Sequence, residues 1–131
     1  DITPAELLEV EYQARRCVDA EAAGLWKEAL VANQEFHFQI YRASRSTILV
    51  RMIENLWLLT GPYVNYVYPS TPRPYRSAEP HSRIVEALRR GDAAETGEAV
   101  VYDTMKGSTA LVELLRARAA SEPKRRTMRV R

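Results

Sequence analysis

Ala32-Asn33-Gln34-Glu35-Phe36-His37-Phe38-Gln39-Ile40 is the stretch around which this 131-residue chain is organised. It lies in a segment that reads as one helix from about Leu25 to Ser44. Asn33 and His37 are four residues apart, so on a helix they sit one above the other on a single face. Leu25, Trp26, Ala29, Leu30, Phe36, Ile40 and Tyr41 fall on or beside that face. The amide and the imidazole are therefore expected to point into the apolar interior. Buried polar groups without partners cost stability, so the remaining chain has to supply those partners.

Upstream, Thr3-Pro4-Ala5-Glu6 spells a helix start: Thr as N-cap, Pro in the first turn, and Glu to close a capping box. The helix it opens is predicted to run to about Ala20, with Leu7, Leu8, Tyr12, Ala14 or Arg15, and Val18 along its repeat. Downstream, a third helix is predicted from about Thr47 to Tyr68, with Ile48, Leu49, Met52, Ile53, Leu56, Leu59 or Thr60, and Tyr63 on its apolar face. Gly61-Pro62 inside it should bend it near Trp57 and Leu58. Pro69, Pro72, Pro74 and Pro80 mark a long loop before helix four, which carries Ile84, Val85 and Leu88 inward and stops at Gly91. Asp92-Ala93-Ala94-Glu95 caps a fifth helix, predicted to run to about Ala120. Its apolar positions are Val100, Val101, Met105, Leu111, Val112, Leu114 and Leu115. No strand pattern is present. The fold class is all-α: an antiparallel bundle of about five helices over residues 1–120, followed by a basic disordered tail over 121–131.

The net charge of +2 hides an asymmetry. Residues 116–131 carry seven basic side chains and one acidic one, which leaves the preceding body at −4. An acidic body is a poor grip for nucleic acid. The single cysteine, Cys17, forms no internal disulfide, which fits a reducing, cytoplasmic setting. The apolar run from Ile48 to Tyr68 is interrupted by Arg51, Glu54, Asn55 and Gly61-Pro62, so no membrane span is expected.

Three segments carry the chemistry. His37 is on helix two, His81 in the first turn of helix four, and Asp103 in the middle of helix five beside Val100, Val101 and Met105. Two imidazoles, one carboxylate and the Asn33 amide oxygen make a plausible ligand set for a first-row divalent cation. The alternative from the same residues is a polar pocket in which His37 and Asp103 hydrogen-bond without metal. Trp26 and Trp57 read as core. Arg51, Arg76 and Arg83 are the cations available to a carboxylate ligand, and Tyr63 with its tyrosine neighbours stands near the bend.

The run Asn33 to Ser44 resembles the hallmark of the ligand-binding domain of FadR-type GntR transcription regulators, the FCD domain. Glu79 to Asp92 is similar to the family's Glu-His, Ile, Ala-Leu, Gly-Asp pattern, and Leu56-Trp57 to Tyr63 resembles many members. Together these matches reach from about Thr3 to Leu115. The resemblance implies an antiparallel helical bundle that dimerises and senses a small organic acid, often through a divalent metal held by one Asp and three His. Carried onto this chain, the Asp position falls on Asn33, the first two His positions on His37 and His81, and the third on Asp103.

The chain thus departs from the family pattern at two ligand positions. The set keeps a formal charge of −1 and suits zinc, nickel or manganese, with His to Asp favouring harder metals. The resemblance also implies a homodimer. Arg51, Tyr63 and Arg83 are the candidate effector contacts, the arginines because a carboxylate needs a cation; family members often have Arg near Leu59, where this chain has Leu. DNA contact would come only through an N-terminal winged helix-turn-helix, which this chain, like the first bundle helix, does not include. An enzyme is not expected. The competing readings are a small metalloenzyme with a 2-His-1-carboxylate site and a metal-free helical interaction module.

Overall fold

A computed structural model of the chain describes residues 2–67 and 76–121, with the side chains at 62–67, 110, 114, 118 and 121 outside the described set. Five α-helices account for nearly all of it: α1 (Pro4–Ala22), α2 (Trp26–Ala43), α3 (Thr47–Val67), α4 (Ala78–Arg90) and α5 (Ala93–Ser121). No strand occurs among the described residues. The stretch at 68–75, which holds most of the proline-rich loop, and the tail at 122–131 lie outside them.

The helix ends follow local chemistry. Thr3 and Glu6 form the complete capping box of α1, with Glu6 N–H donating to Thr3 Oγ1 at 3.3 Å and Thr3 N–H donating to Glu6 Oε2 at 2.9 Å. Gly91 ends α4 in the left-handed region, at φ 68°, where a Cβ would be strained. The next residue, Asp92, caps α5 by accepting the Glu95 N–H at 2.9 Å.

The helices close into a ring. α1 packs on α2, α2 on α3, α3 on α5, α5 on α4, and α4 back on α1. The tight turns at 23–25 and 91–92 make hairpins of α1–α2 and α4–α5. The core is Val10, Phe36, Ile84, Val85 and Ala99, one cluster that draws on four helices.

The buried faces differ from the predicted ones in α1, at Leu25, in α5 and in α3. In α1 the inward residues are Val10, Gln13, Cys17, Ala20 and Glu21, while Leu8 is 65% and Tyr12 49% exposed. The α1–α2 contact explains this. Cys17 and Ala20 on one helix and Ala29 and Ala32 on the other are all buried, and helix axes approach closely only where contact residues are small. Leu25 is likewise exposed rather than inward. In α5, Ala99 and Asp103 face the core, with Val101 and Met105 turned out.

The largest departure is α3. Of the residues predicted as its inward face, Ile48, Leu49, Met52, Leu56 and Leu59 are 74%, 45%, 59%, 60% and 70% exposed, and Ile53 is half-buried. Val50, Ile53 and Trp57, on the opposite side, are the half-buried residues. α3 is apolar on both faces, and the bundle covers only one of them.

Candidate metal centre

α2 carries Asn33 and His37 one turn apart, the first turn of α4 carries His81, and α5 carries Asp103 midway along its length. The ring of helices aims all four side chains at one point. His37, His81 and Asp103 are buried at 4%, 1% and 4% exposure. His37 Nε2 lies 2.9 Å from Asp103 Oδ2, and His81 Nε2 lies 4.0 Å from Asp103 Oδ1. His81 Nε2 also lies 3.1 Å from Asn33 Oδ1. The buried imidazoles and the Asn33 amide, which is half-buried rather than buried as the sequence predicts, thus find partners across three helices.

Aromatic packing fixes the rings. Phe36 stacks on His81 with centroids 3.9 Å apart and planes 21° from parallel. The two imidazoles meet edge to face at 5.5 Å, and Trp57 from α3 closes one side at 6.5 Å from His37. Burial, reinforced by the neighbouring His37, holds the His81 pKa down at about 3. His81 is therefore neutral, the form in which an imidazole ligates a metal.

The donor set fits a divalent cation. One ligand atom from each of His37, His81 and Asp103 lies within 4.8 Å of the others, and two ligands about 2.1 Å from a shared ion sit roughly 3 Å apart in cis. Nδ1 of both histidines is buried with no hydrogen-bond partner among the described residues, so neither ring has there the acceptor that usually orients an imidazole bound to a metal through Nε2. In the metal-free state the Nε2–H groups donate to Asp103 and Asn33 instead.

Of the other predicted site residues, Arg51 and Arg83 are not brought to this point. Arg51 is exposed on α3. Arg83, with its side chain 52% exposed, lies 4.5 Å over the Tyr102 ring and 3.9 Å from Glu79. Tyr63 has its side chain outside the described residues. Arg76 sits 5.3 Å over the Trp26 ring and donates to the Glu21 carbonyl. A cleft of about 270 Å³ opens between α1 and α4, lined by Glu11, Arg15, Asp19, Ser82 and Arg89, with His81 at its wall. Sequence reasoning missed the Phe36 stack and the buried Glu21. Phe36 had a signal, being adjacent to His37 and on the inward face; Glu21, an acid at a helix end, had none.

The FCD domain model matches residues 1–105. The chain is similar to the HTH-type transcriptional regulator McbR of Escherichia coli (strain K12), 32% identical over 68 residues, which is 52% of this chain and 31% of that regulator. The chain thus spans about a third of the length of the curated relative it matches. No solved structure matches it.

Proposed function

The chain belongs to the FCD-domain family, the C-terminal ligand-binding domains of FadR-type GntR regulators, and on that premise we propose that it senses a small organic acid through a divalent metal held by His37, His81, Asp103 and Asn33. It is a regulatory domain rather than an enzyme. The observation that carries the proposal is the convergence of two imidazoles and a carboxylate, all buried, from three different helices. A bound zinc, nickel or manganese ion supplies a fixed positive charge for a carboxylate. The four side chains leave coordination positions for that ligand if the ion is six-coordinate.

The protein's own groups define the rest. His37 and His81 would hold the ion through imidazole nitrogens and Asp103 would supply the anionic oxygen, with Phe36 and Trp57 packed against the rings. Arg83 is already engaged over Tyr102, and Arg51 is exposed, so the ion rather than either arginine meets the carboxylate. An effector that pulls on helices α2, α4 and α5 together shifts their packing. Signalling requires that it bind two arrangements of the bundle with different affinity. The regulator acts in the cytoplasm as a homodimer, and DNA contact belongs to a separate domain of a longer protein.

Self-association is supported by α3. Among the described residues, six large apolar side chains of α3 are exposed, Leu58 at 75% among them, and a stable interface buries about 800 Å² per partner. A large apolar stripe of this kind calls for cover.

The test is metal analysis of protein purified without chelator or a histidine tag, for wild type and His81→Ala. Near-stoichiometric metal, lost in the variant, supports the proposal, and calorimetric titration with chelating carboxylates then finds the effector class. The hydrogen bonds His37–Asp103 and His81–Asn33 favour one second reading, a metal-free polar pocket. It predicts that both proteins stay metal-free after zinc, nickel or manganese is added.

A further inference from the structure

α4 does not cap itself. Ser77 is its N-cap residue, a type that commonly caps through its own hydroxyl, yet the Ser77 side chain makes no capping bond. The Ser77 N–H donates instead to Glu21 of α1, 3.3 Å from Oε1 and 3.2 Å from Oε2. Glu21 is only 5% exposed. Its backbone carbonyl accepts a second bond from Arg76 Nη1 at 3.3 Å, and Arg76 in turn lies over Trp26 at the start of α2. The two residues ahead of α4 are thus fastened at two points to the end of α1.

His81 is one turn further on. Its N–H donates to the Ser77 carbonyl at 2.8 Å. Any displacement of Ser77 is therefore passed to His81 through one helical turn. The site has little tolerance for that, because metal ligands must fall within about 0.2 Å of their bond lengths.

We infer that Glu21 is a positioning residue that acts through Ser77 and the first turn of α4 to set His81 Nε2 against Asp103 and Asn33. A capping box would give the Ser77 N–H an acceptor on the third helical residue, but in α4 that residue is Pro80. The Glu21 carboxylate takes that place from another helix and so ties the His81 turn to α1. The inference rests on the metal reading of His37, His81 and Asp103, and the test separates the two.

Zinc titration and imidazole NMR of the metal-free 131-residue chain are compared for wild type, Glu21→Ala, Glu21→Gln and Glu6→Ala. Glu6→Ala removes the capping box of α1 and serves as the control for a merely structural loss. Glu21→Ala should weaken zinc binding about tenfold, as loss of an outer-shell support does, and should move the His81 ring resonances before any metal is added. Glu21→Gln keeps an acceptor for the Ser77 N–H and should restore most of both. Glu6→Ala should lower Tm and leave the zinc affinity and the His81 resonances unchanged.

Wild-type His81 resonances in Glu21→Ala overturn the inference, as does an equal response in Glu6→Ala. Should wild type itself bind no zinc, the metal reading fails and the His81 resonances alone decide the positioning role. Should Glu21→Ala not fold, Glu21→Asp, shorter by one methylene, carries the same comparison.

Discussion

His37 Nε2 and Asp103 Oδ2 lie 2.9 Å apart at the centre of the bundle, joining α2 to α5 through two side chains each about 95% buried. The pair has one job without metal and another with it. Without metal, Asp103 accepts the His37 N–H; in the proposed metal-bound state both side chains would be ligands. Asp103→Ala and Asp103→Asn separate these jobs. The alanine variant strands a buried N–H and should cost about 1–3 kcal/mol in denaturant unfolding of the metal-free protein. The asparagine variant keeps an oxygen acceptor and should cost less, yet it removes the anionic ligand and should weaken zinc as severely as alanine does. Asp103→His should shift preference from manganese toward zinc or nickel, because a nitrogen replaces a hard oxygen. Equal zinc affinity in wild type and Asp103→Asn would remove Asp103 from the ligand set.

Cys17 should be chemically silent in the folded protein. Its thiol is fully buried, its Sγ donates to the Ala29 carbonyl at 3.4 Å, and burial pushes its pKa up to about 12. The thiolate is the reactive form, so alkylation should be very slow under native conditions at pH 8 and fast and stoichiometric in guanidinium. Because Cys17 sits in the α1–α2 contact, its slow native labelling should follow global opening. Labelling that is fast and independent of stability would mean that α1 separates from α2 locally.

Much of this was readable from residue types and their spacing, and the limits are instructive. Thr3 and Glu6 announced the start of α1, and Gly91 and Asp92 announced the α4–α5 turn, because capping depends on neighbours in sequence. His37 and His81 were identifiable as inward residues because each sits on a helix with a clear apolar face. The orientation of α1 and α3 was not readable. Periodicity says which residues share a face, but it does not say which face the bundle covers. In α1 the close approach to Ala29 and Ala32 selected the small residues Cys17 and Ala20 over Leu8 and Tyr12. In α3, Trp57 reached the His37 site and turned Leu56 and Leu59 outward. Glu21 was invisible because its partner, Ser77, is 56 residues away.

The Glu6–Arg45 pair gives the fold an acid-sensitive element. Arg45 sits in the turn between α2 and α3 at φ 60°, a strained backbone for a residue with a side chain. Its guanidinium donates to Glu6 Oε1 and Oε2 at 2.6 and 2.9 Å. The Arg45 hydrogen bonds, followed by those from Thr3, hold the Glu6 pKa at about 2, down from 4.5. A carboxylate whose folded pKa is depressed stabilises fully above its unfolded value and loses that contribution as pH falls through the folded one. Glu6→Gln should therefore lower Tm at neutral pH, and the gap to wild type should close between pH 4.5 and about 2. The pair is exposed, so added salt should also narrow the gap. A gap that persists at pH 2 would assign the loss to the capping box rather than to the ion pair.

Self-pairing through α3 is the prediction with the clearest physical alternative. Ile48, Met52, Leu56 and Leu59 recur at spacings of four, four and three, which places them along one side of the helix. All four are more than half exposed. A helix in water does not keep such a stripe uncovered without an aggregation liability, and a two-fold axis across the stripe buries it in both copies at once. Sedimentation equilibrium of the 131-residue chain should give a dimer whose dissociation depends on concentration. Leu56→Glu should convert it to a monomer while leaving helical circular dichroism and zinc affinity intact, since Leu56 faces away from the bundle. Ile53→Glu, on the half-buried side, should instead reduce stability. A chain that is monomeric at all concentrations would assign the stripe to some other covering segment, and a dimer that survives Leu56→Glu would move the interface elsewhere.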